Sequence, residues 1–149
     1  MMSNSALYDR DILRLAASLY RWPLDDAFER IVEKRSPVCG STIRLGFDRD
    51  GAVRISRIGL DVQACALGQA SAAILAGNAL GLSQEEAELR AQHCRDLLEG
   101  NECDVTELWP DMILLARAAP YPARHGAIML PYEALSVAFA DTPTEAENA

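Results

Sequence analysis

Apolar residues near the start of the chain recur at the spacing of one helix face. This pattern predicts an amphipathic helix over about residues 6–20. Its apolar positions are Tyr8, Ile12, Leu15 and Leu19. No steady period follows over residues 21–36, and Pro23 and Pro37 lie close to the two ends of this stretch. We therefore expect a loop there, with at most a short helical turn.

Between residues 41 and 64 apolar and polar residues alternate, which is the pattern of half-buried strands. The apolar positions are first odd-numbered and later even-numbered: Ile43, Leu45, Phe47, Val53 and Ile55, then Ile58, Leu60 and Val62. Asp48–Gly51 has the composition of a hairpin turn. The one-residue change of phase predicts either a bulge or a break near Arg57–Gly59 into a third strand. We predict an antiparallel meander of two or three strands over about residues 41–64.

Helical spacing begins at Cys65, where a helix with many small side chains follows the meander. Its apolar face carries Leu67, Ala70, Ile74 and Gly77. A helix with such small side chains allows another backbone to approach closely. Ser83 and Glu86 have the spacing of a capping box and predict the start of a second helix.

The remaining sequence predicts a polar loop over residues 99–106, a short helix over 108–118 and a last helix over about 122–139. Pro131 should kink or restart the last helix. The element order is thus a helix, a small meander, and three or four further helices packed on one face. This order indicates an α+β fold rather than an alternating βαβ arrangement.

Charge and composition narrow the possible functions. The 149 residues are 50% hydrophobic and 24% charged, as expected for a globular domain. The formal net charge of −8 disfavours nucleic-acid binding, which normally needs a basic surface. No apolar run approaches the ~20 residues of a membrane-spanning helix, and the start lacks the pattern of a signal peptide. We expect a soluble cytoplasmic protein that binds neither nucleic acid nor membrane.

Two of the four cysteines occupy positions suited to chemistry. Cys39 lies between Pro37 and Gly40, in what should be a sharp, exposed turn. Cys65 lies where the meander gives way to a helix, and a helix N-terminus favours the thiolate, the form that binds metal. Cys94 falls on an apolar helix stripe and should be core, whereas Cys103 should be exposed and non-ligating. No CxxC pair or nucleotide-binding glycine motif is present.

Three segments together carry a family resemblance. They read Ser-Pro-Val-Cys-Gly-Ser at 36–41, Ala-Cys-Ala-Leu-Gly-Gln-Ala-Ser-Ala at 64–72 and Tyr-Pro-Ala-Arg at 121–124. The set resembles the NifU/IscU/SufU-type iron–sulfur cluster assembly scaffolds over about residues 7–139. It is most similar to the SufU-like branch, which carries extra residues at the place of Glu99–Asp111. The resemblance implies a SufE/NifU-like fold.

The resemblance implies a single NifU/IscU-like N-terminal-type domain over residues 1–140. Residues 141–149 are small, polar and acidic, and we expect a disordered tail there.

The family's ligand pattern is only partly present. It consists of Cys-Gly-Asp, then Gly-Cys before the small-residue helix, then a third Cys early in the last helix. Cys39 and Cys65 match, but the aspartate position holds Ser41 and the third cysteine position holds Ala127. Arg124 matches the basic residue of the last segment.

The matching residues imply a site for an iron–sulfur cluster or Zn²⁺ that uses Cys39 and Cys65. His125 could supply a third ligand, provided that the last helix starts late and leaves residues 122–126 irregular. A homodimer sharing one cluster would also restore four thiolates. The resemblance further implies a cysteine desulfurase and apo iron–sulfur recipient proteins as partners.

Two other readings stay open. The chain could be a metal-free module that docks a cysteine desulfurase or another assembly factor, since half of the ligand set is absent. It could also be an enzyme with Cys65 as nucleophile and His125 as base. No orienting group or oxyanion motif accompanies that pair, so we expect no enzyme.

Overall fold

The computed structural model describes residues 9–140. Its helices and strands are α1 (Arg10–Ala17), β1 (Arg30–Arg35), β2 (Thr42–Arg49), β3 (Ile55–Gln63), α2 (Ala66–Asn78), α3 (Gln84–Glu99) and α4 (Pro122–Ala140). Short 3-10 helices span Ser18–Arg21, Val105–Glu107 and Met112–Ala118. The predicted α+β class is confirmed: α2 and α4 pack on a three-stranded antiparallel sheet. Tyr8 and the predicted tail at 141–149 lie outside the described residues.

The third strand of the sheet comes from a segment for which we expected a loop. The sheet order is β1-β2-β3, and β1 pairs with β2 through Val32 and Leu45. Val32 is the only buried residue of β1. Such an edge strand, rich in charged side chains, shows too little apolar alternation to be recognised from the sequence. The meander therefore begins at Arg30, not at residue 41.

The change of hydrophobic phase is a bulge, not a strand break. The register passes from Asp48 opposite Arg57 to Arg49 opposite Ile55, which leaves Ser56 as the extra residue. Strand β3 runs on without interruption to Gln63. The predicted bulge is confirmed, and the alternative of a third strand starting near Arg57–Gly59 is wrong.

Phe28 covers part of the outer face of the sheet. This ring packs over Gly46 and Gly59, which are opposite each other in the register of β2 and β3. A side chain at either glycine would meet the ring, since a Cβ at Gly46 would lie 2.8 Å from it and a Cβ at Gly59 2.6 Å. The guanidinium of Arg57 lies 3.9 Å from the centre of the same ring.

The helices that follow the sheet agree closely with those predicted from the sequence. The capping box of Ser83 and Glu86 is present at the start of α3. The short helix predicted over 108–118 is a 3-10 helix over Met112–Ala118. No helix of residues 9–140 is long and apolar enough to cross a membrane.

Helix α4 continues through Pro131, so of the two predicted alternatives, a kink or a restart, the restart is wrong. Proline has no N–H to donate to the carbonyl of Ala127, four residues earlier. The next carbonyl, that of Ile128, accepts a hydrogen bond from the buried Ser71 hydroxyl of α2 at 2.6 Å. Packing against α2 stabilises α4 across the proline.

Candidate functional site

The turn between β1 and β2 presents Cys39 to solvent. The Ser36 N–H donates to the Ser41 carbonyl at 2.8 Å, and the Gly40 N–H donates to the Ser36 carbonyl at 3.1 Å. Gly40 has a φ of 73°, a conformation that glycine adopts without strain. The turn thereby fixes the backbone on both sides of an exposed cysteine, as the sequence predicted.

Two buried serines flank the Cys39 sulfur. The Sγ atom lies 3.2 Å from Ser41 Oγ, within hydrogen-bonding distance. Hydrogen bonds from the side chains of Ser36 and Ser41 lower the pKa of the Cys39 thiol, because a hydroxyl donor stabilises the thiolate. Ser36, which sequence reasoning did not single out, is thus part of the site. Its only sequence signal is its place at the start of the turn.

Cys65 lies at the same end of the sheet as this turn. Thr42, the first residue of β2, is opposite Gln63, the last residue of β3. Cys65 follows two residues later as the N-cap of α2, and it is half-buried. The hairpin of β2 and β3 therefore brings both predicted cysteines to one end of the molecule.

The start of α4 packs against the Cys39 turn and the first turn of α2, at the same end of the sheet. A Cβ at Gly126 would lie 2.6 Å from Ser36 Oγ, so the backbone of α4 touches the Cys39 turn. A Cβ at Gly68 would lie 3.2 Å from the Cβ and the carbonyl oxygen of Ala127. Gly68 is in the first turn of α2, directly after Cys65. Ala127, which is buried, therefore packs beside that turn.

His125 has a different environment from the one predicted. Helix α4 begins at Pro122, so residues 122–126 are helical and the late start that we required does not occur. The His125 Nε2 atom lies 2.8 Å from the carbonyl oxygen of Ala118. Within residues 9–140 no three His, Cys, Asp or Glu side chains form a group able to hold a metal ion. The structure thus does not bring His125 into a three-ligand set with Cys39 and Cys65.

The other two cysteines lie outside this site. Cys94 is fully buried, as predicted, and burial raises the pKa of its thiol to about 12. Cys103 was expected to be exposed, but it is half-buried because it packs against the core. Arg124, half-buried in the first turn of α4, donates its backbone N–H to the Tyr121 carbonyl at 2.9 Å.

Replacing Cys94 with Ser should lower the free energy of unfolding by about 1–3 kcal/mol, because a hydroxyl would be buried on an apolar helix face. Urea unfolding followed by circular dichroism measures this loss. Cys103→Ser, at a half-buried position, should cost less. Equal stability of Cys94→Ser and the parent would show that the position tolerates a polar group.

A groove of about 510 Å³ also lies between α1 and α2. Arg14, Tyr20, Trp22 and Asn78 contribute to its walls, and none of the four cysteines is among its lining residues. It is therefore separate from the cysteine site.

Comparison with known proteins places this architecture among solved structures. No protein-family model and no curated protein matches the chain. A NifU-like protein (N-terminal) from Brucella abortus superposes with a TM-score of 0.81 at 24% identity, covering 91% of this chain and 94% of that one. A putative iron–sulfur cluster assembly scaffold protein for the SUF system from Fervidobacterium islandicum AW-1 gives 0.83 at 22% identity, covering 92% and 99%. A structure described as a hypothetical protein gives 0.74 at 26% identity, covering 87% and 96%.

These superpositions define the class of fold. The chain has the α+β fold of the NifU-like and SufU proteins, over nearly the whole length of both partners. The fold that the sequence resemblance implied is confirmed.

Proposed function

We propose that this chain takes part in iron–sulfur cluster assembly, as a scaffold- or carrier-like protein that holds a cluster through Cys39 and Cys65. The observation that carries the proposal is the location of these two cysteines at the same end of a NifU/SufU-type fold, one on an exposed turn and one at a helix N-terminus. The SUF-system neighbour is itself described as a putative iron–sulfur cluster assembly scaffold.

The Cys39 and Cys65 sulfur atoms are suitable ligands for a cluster, but they supply only half of the ligands of a complete site. Thiolates are the normal ligands of iron–sulfur clusters and also bind zinc, and a cluster is usually held by four of them. Ala127 has no ligand atom, and the Ser41 hydroxyl is a poor ligand. Two chains that share one cluster would provide four thiolates. We therefore propose a homodimer as the cluster-bearing form, with a cluster that is readily released.

A second candidate function is a metal-free module that docks a cysteine desulfurase or another assembly factor. The absence of a three-ligand group among residues 9–140 favours it. In that case the turn and helix ends would serve as a binding surface rather than as ligands. Apo iron–sulfur recipient proteins are expected as partners only if the chain holds a cluster, as in the first proposal.

The enzyme reading has little support in the geometry. His125 Nε2 contacts the Ala118 carbonyl oxygen, so this nitrogen would not be available as a base for Cys65 without a change of rotamer. We assign no catalytic residue.

Replacing Cys39 or Cys65 with Ser should abolish cluster binding while leaving the fold intact, because neither side chain is fully buried. The test is iron and acid-labile sulfide content after anaerobic reconstitution with ferrous iron and sulfide. The parent should bind both at about one two-iron cluster per pair of chains, the ratio that four thiolates per cluster requires. Cys103→Ser is the matched control and should bind like the parent.

Two outcomes would contradict the cluster-binding proposal. One is the absence of iron and sulfide from the reconstituted parent, and the other is unchanged content in both Cys39→Ser and Cys65→Ser. If the parent binds no iron but a purified cysteine desulfurase co-elutes with it and with both variants, the docking function is correct instead.

A further inference from the structure

We propose that the groove between α1 and α2 is a docking site for an acidic peptide segment of a partner protein. Arg14 and Arg21 would pair with carboxylates of this segment, and Tyr20 and Trp22 would contact one of its apolar side chains. The four cysteines all lie within the described residues, and none of them lines the groove. The inference therefore does not rest on the proposed cluster binding.

The groove has the size and the exposure of a peptide-binding surface. Its volume of about 510 Å³ falls within the range of ligand sites in proteins. Arg14, Tyr20, Arg21 and Gly77 line it and are exposed, so the groove is open to solvent. Small molecules usually bind in pockets that enclose most of their surface, whereas a peptide can bind in an open groove. Three buried apolar residues form the floor: Leu15, Ala73 and Ile74.

Tyr20 and Trp22 form the aromatic part of the groove. Tyr20 is 75% exposed, so its ring is accessible to a partner. The backbone of Trp22 is held in place, because its carbonyl accepts a hydrogen bond from the Leu60 N–H of β3 at 2.8 Å. Tyrosine, tryptophan and arginine are the residues most enriched among those that dominate the binding energy of protein interfaces. All three types line this groove.

Gly77 keeps the groove open at a cost to the stability of α2, because glycine is less favourable in a helix than alanine. The fold does not require glycine at this position. Its backbone is helical, and an added Cβ would make only ordinary contact with Trp22, at 3.6 and 3.7 Å. A longer side chain would extend beside Trp22 into the groove. The absence of a side chain at Gly77 therefore favours an occupant rather than the fold.

The charges at the walls favour an acidic partner, although the chain as a whole is acidic. Arg14 and Asp11 form an ion pair of 3.7 Å in which both side chains are more than half exposed, so the pair is weak. Within residues 9–140 Arg21 has no ion-pair partner. Asp111 is the one carboxylate among the described residues that line the groove. With a formal net charge of −8, non-specific attraction would favour a basic peptide instead.

The experiment compares two short fluorescein-labelled peptides by fluorescence anisotropy. The first has a central phenylalanine flanked by glutamates, and the second has lysines in place of the glutamates. We expect the parent to bind the glutamate peptide at least about tenfold more tightly, because charge complementarity in the groove determines which peptide fits. Replacing the phenylalanine of the glutamate peptide with alanine should weaken binding at least about fivefold, the loss typical of removing an interface anchor.

Charge substitutions at exposed positions test the contribution of the arginines. Arg21→Glu should weaken binding of the glutamate peptide about three- to tenfold, the scale expected when a partly exposed ion pair becomes a repulsive pair. Gly77→Glu places a carboxylate in the groove and should also weaken binding. Arg10→Glu is the charge-matched control, because Arg10 is exposed on α1 and does not line the groove. This control should bind like the parent.

Apolar substitutions test the aromatic part of the groove. Tyr20→Ala should weaken binding at least about fivefold. Leu13→Ala changes an exposed apolar residue of α1 outside the groove and should have no effect. The indole N–H signals in NMR spectra locate the peptide: Trp22 lines the groove, whereas Trp109 is buried and stacks on Tyr132. The signal of Trp22 should therefore shift further than that of Trp109.

Several results would overturn the proposal. They are tighter binding of the lysine peptide, no binding of the glutamate peptide, and equal binding by Arg21→Glu and Arg10→Glu. Sedimentation velocity of the metal-free parent tests a different occupant. A dimer that Tyr20→Ala abolishes would mean that a second copy of the chain fills the groove, and this result would also contradict an acidic partner segment.

Discussion

Introducing Ala127→Cys together with Ser41→Asp should raise the affinity of the chain for Zn²⁺ at least tenfold over the parent. Ala127 is buried beside the first turn of α2, and Gly68 leaves room next to it. A thiol at 127 and a carboxylate at 41 would complete four ligands with Cys39 and Cys65. A complete four-ligand zinc site is worth about 10–16 kcal/mol, so each ligand supplies on average about 2.5–4 kcal/mol.

Competition with a colorimetric chelator under reducing, anaerobic conditions measures this affinity. Glu133→Cys with Ser41→Asp is the matched control, because it adds a thiol to an exposed position of the same helix. That control should gain less than the double variant. Equal affinity in both proteins would show that position 127 does not face Cys39 and Cys65.

His125→Ala in the parent tests the remaining ligand prediction. The contact of His125 Nε2 with the Ala118 carbonyl predicts no change in metal affinity. Loss of metal on this substitution would mean that the side chain rotates into the site and that His125 is a ligand.

The cysteine site could be predicted from the sequence because its parts are local. A turn between Pro37 and Gly40 and a helix beginning after Cys65 each leave a short-range signal. Strands β2 and β3 alternate clearly, and an antiparallel hairpin necessarily brings the start of one and the end of the other together. The placement of both cysteines at one end follows from those signals.

The partners of Cys39 could not be predicted in the same way. Ser36 and Gly126 are far apart in the sequence, and nothing in either segment shows that a helix start will press on that hydroxyl. The position of His125 depended on where α4 begins, and helix starts are poorly determined by pattern alone. Helix α4 starts at Pro122, as the predicted range of about 122–139 indicated, because proline suits a first helical position; the late start that a His125 ligand required therefore does not occur.

Strand β1 could not be predicted from the sequence for a similar reason. Val32 is the only buried residue of strand β1, and the remaining positions are largely charged. Its place in the sheet is set by pairing with β2 and by contact with α4, which are long-range interactions. The segment before it also carries Phe28, whose burial depends on two glycines of other strands. Local periodicity contains none of this information.

Gly59→Ala should be among the most destabilising small substitutions in the sheet, with a loss of about 1–3 kcal/mol in the free energy of unfolding. A Cβ at this position would lie 2.5 Å from the Pro23 carbonyl oxygen and 2.6 Å from the Phe28 ring. Urea unfolding measures the loss. Gly51→Ala is the control, because a Cβ at Gly51 would meet nothing within 4 Å.

Substitutions at Gly46 and Gly59 distinguish a steric clash with side chains from a steric clash with the backbone. The three atoms nearest to a Cβ at Gly46 would all belong to side chains, those of Leu24 and Phe28, at 2.8 Å. Introducing Phe28→Ala should therefore offset much of the cost of Gly46→Ala, but less of the cost of Gly59→Ala, where the Pro23 carbonyl remains. Double-mutant cycles with Phe28→Ala give the two coupling energies. Equal couplings, or equal stability of Gly59→Ala and Gly51→Ala, would contradict the packing of residues 23–28 on the sheet.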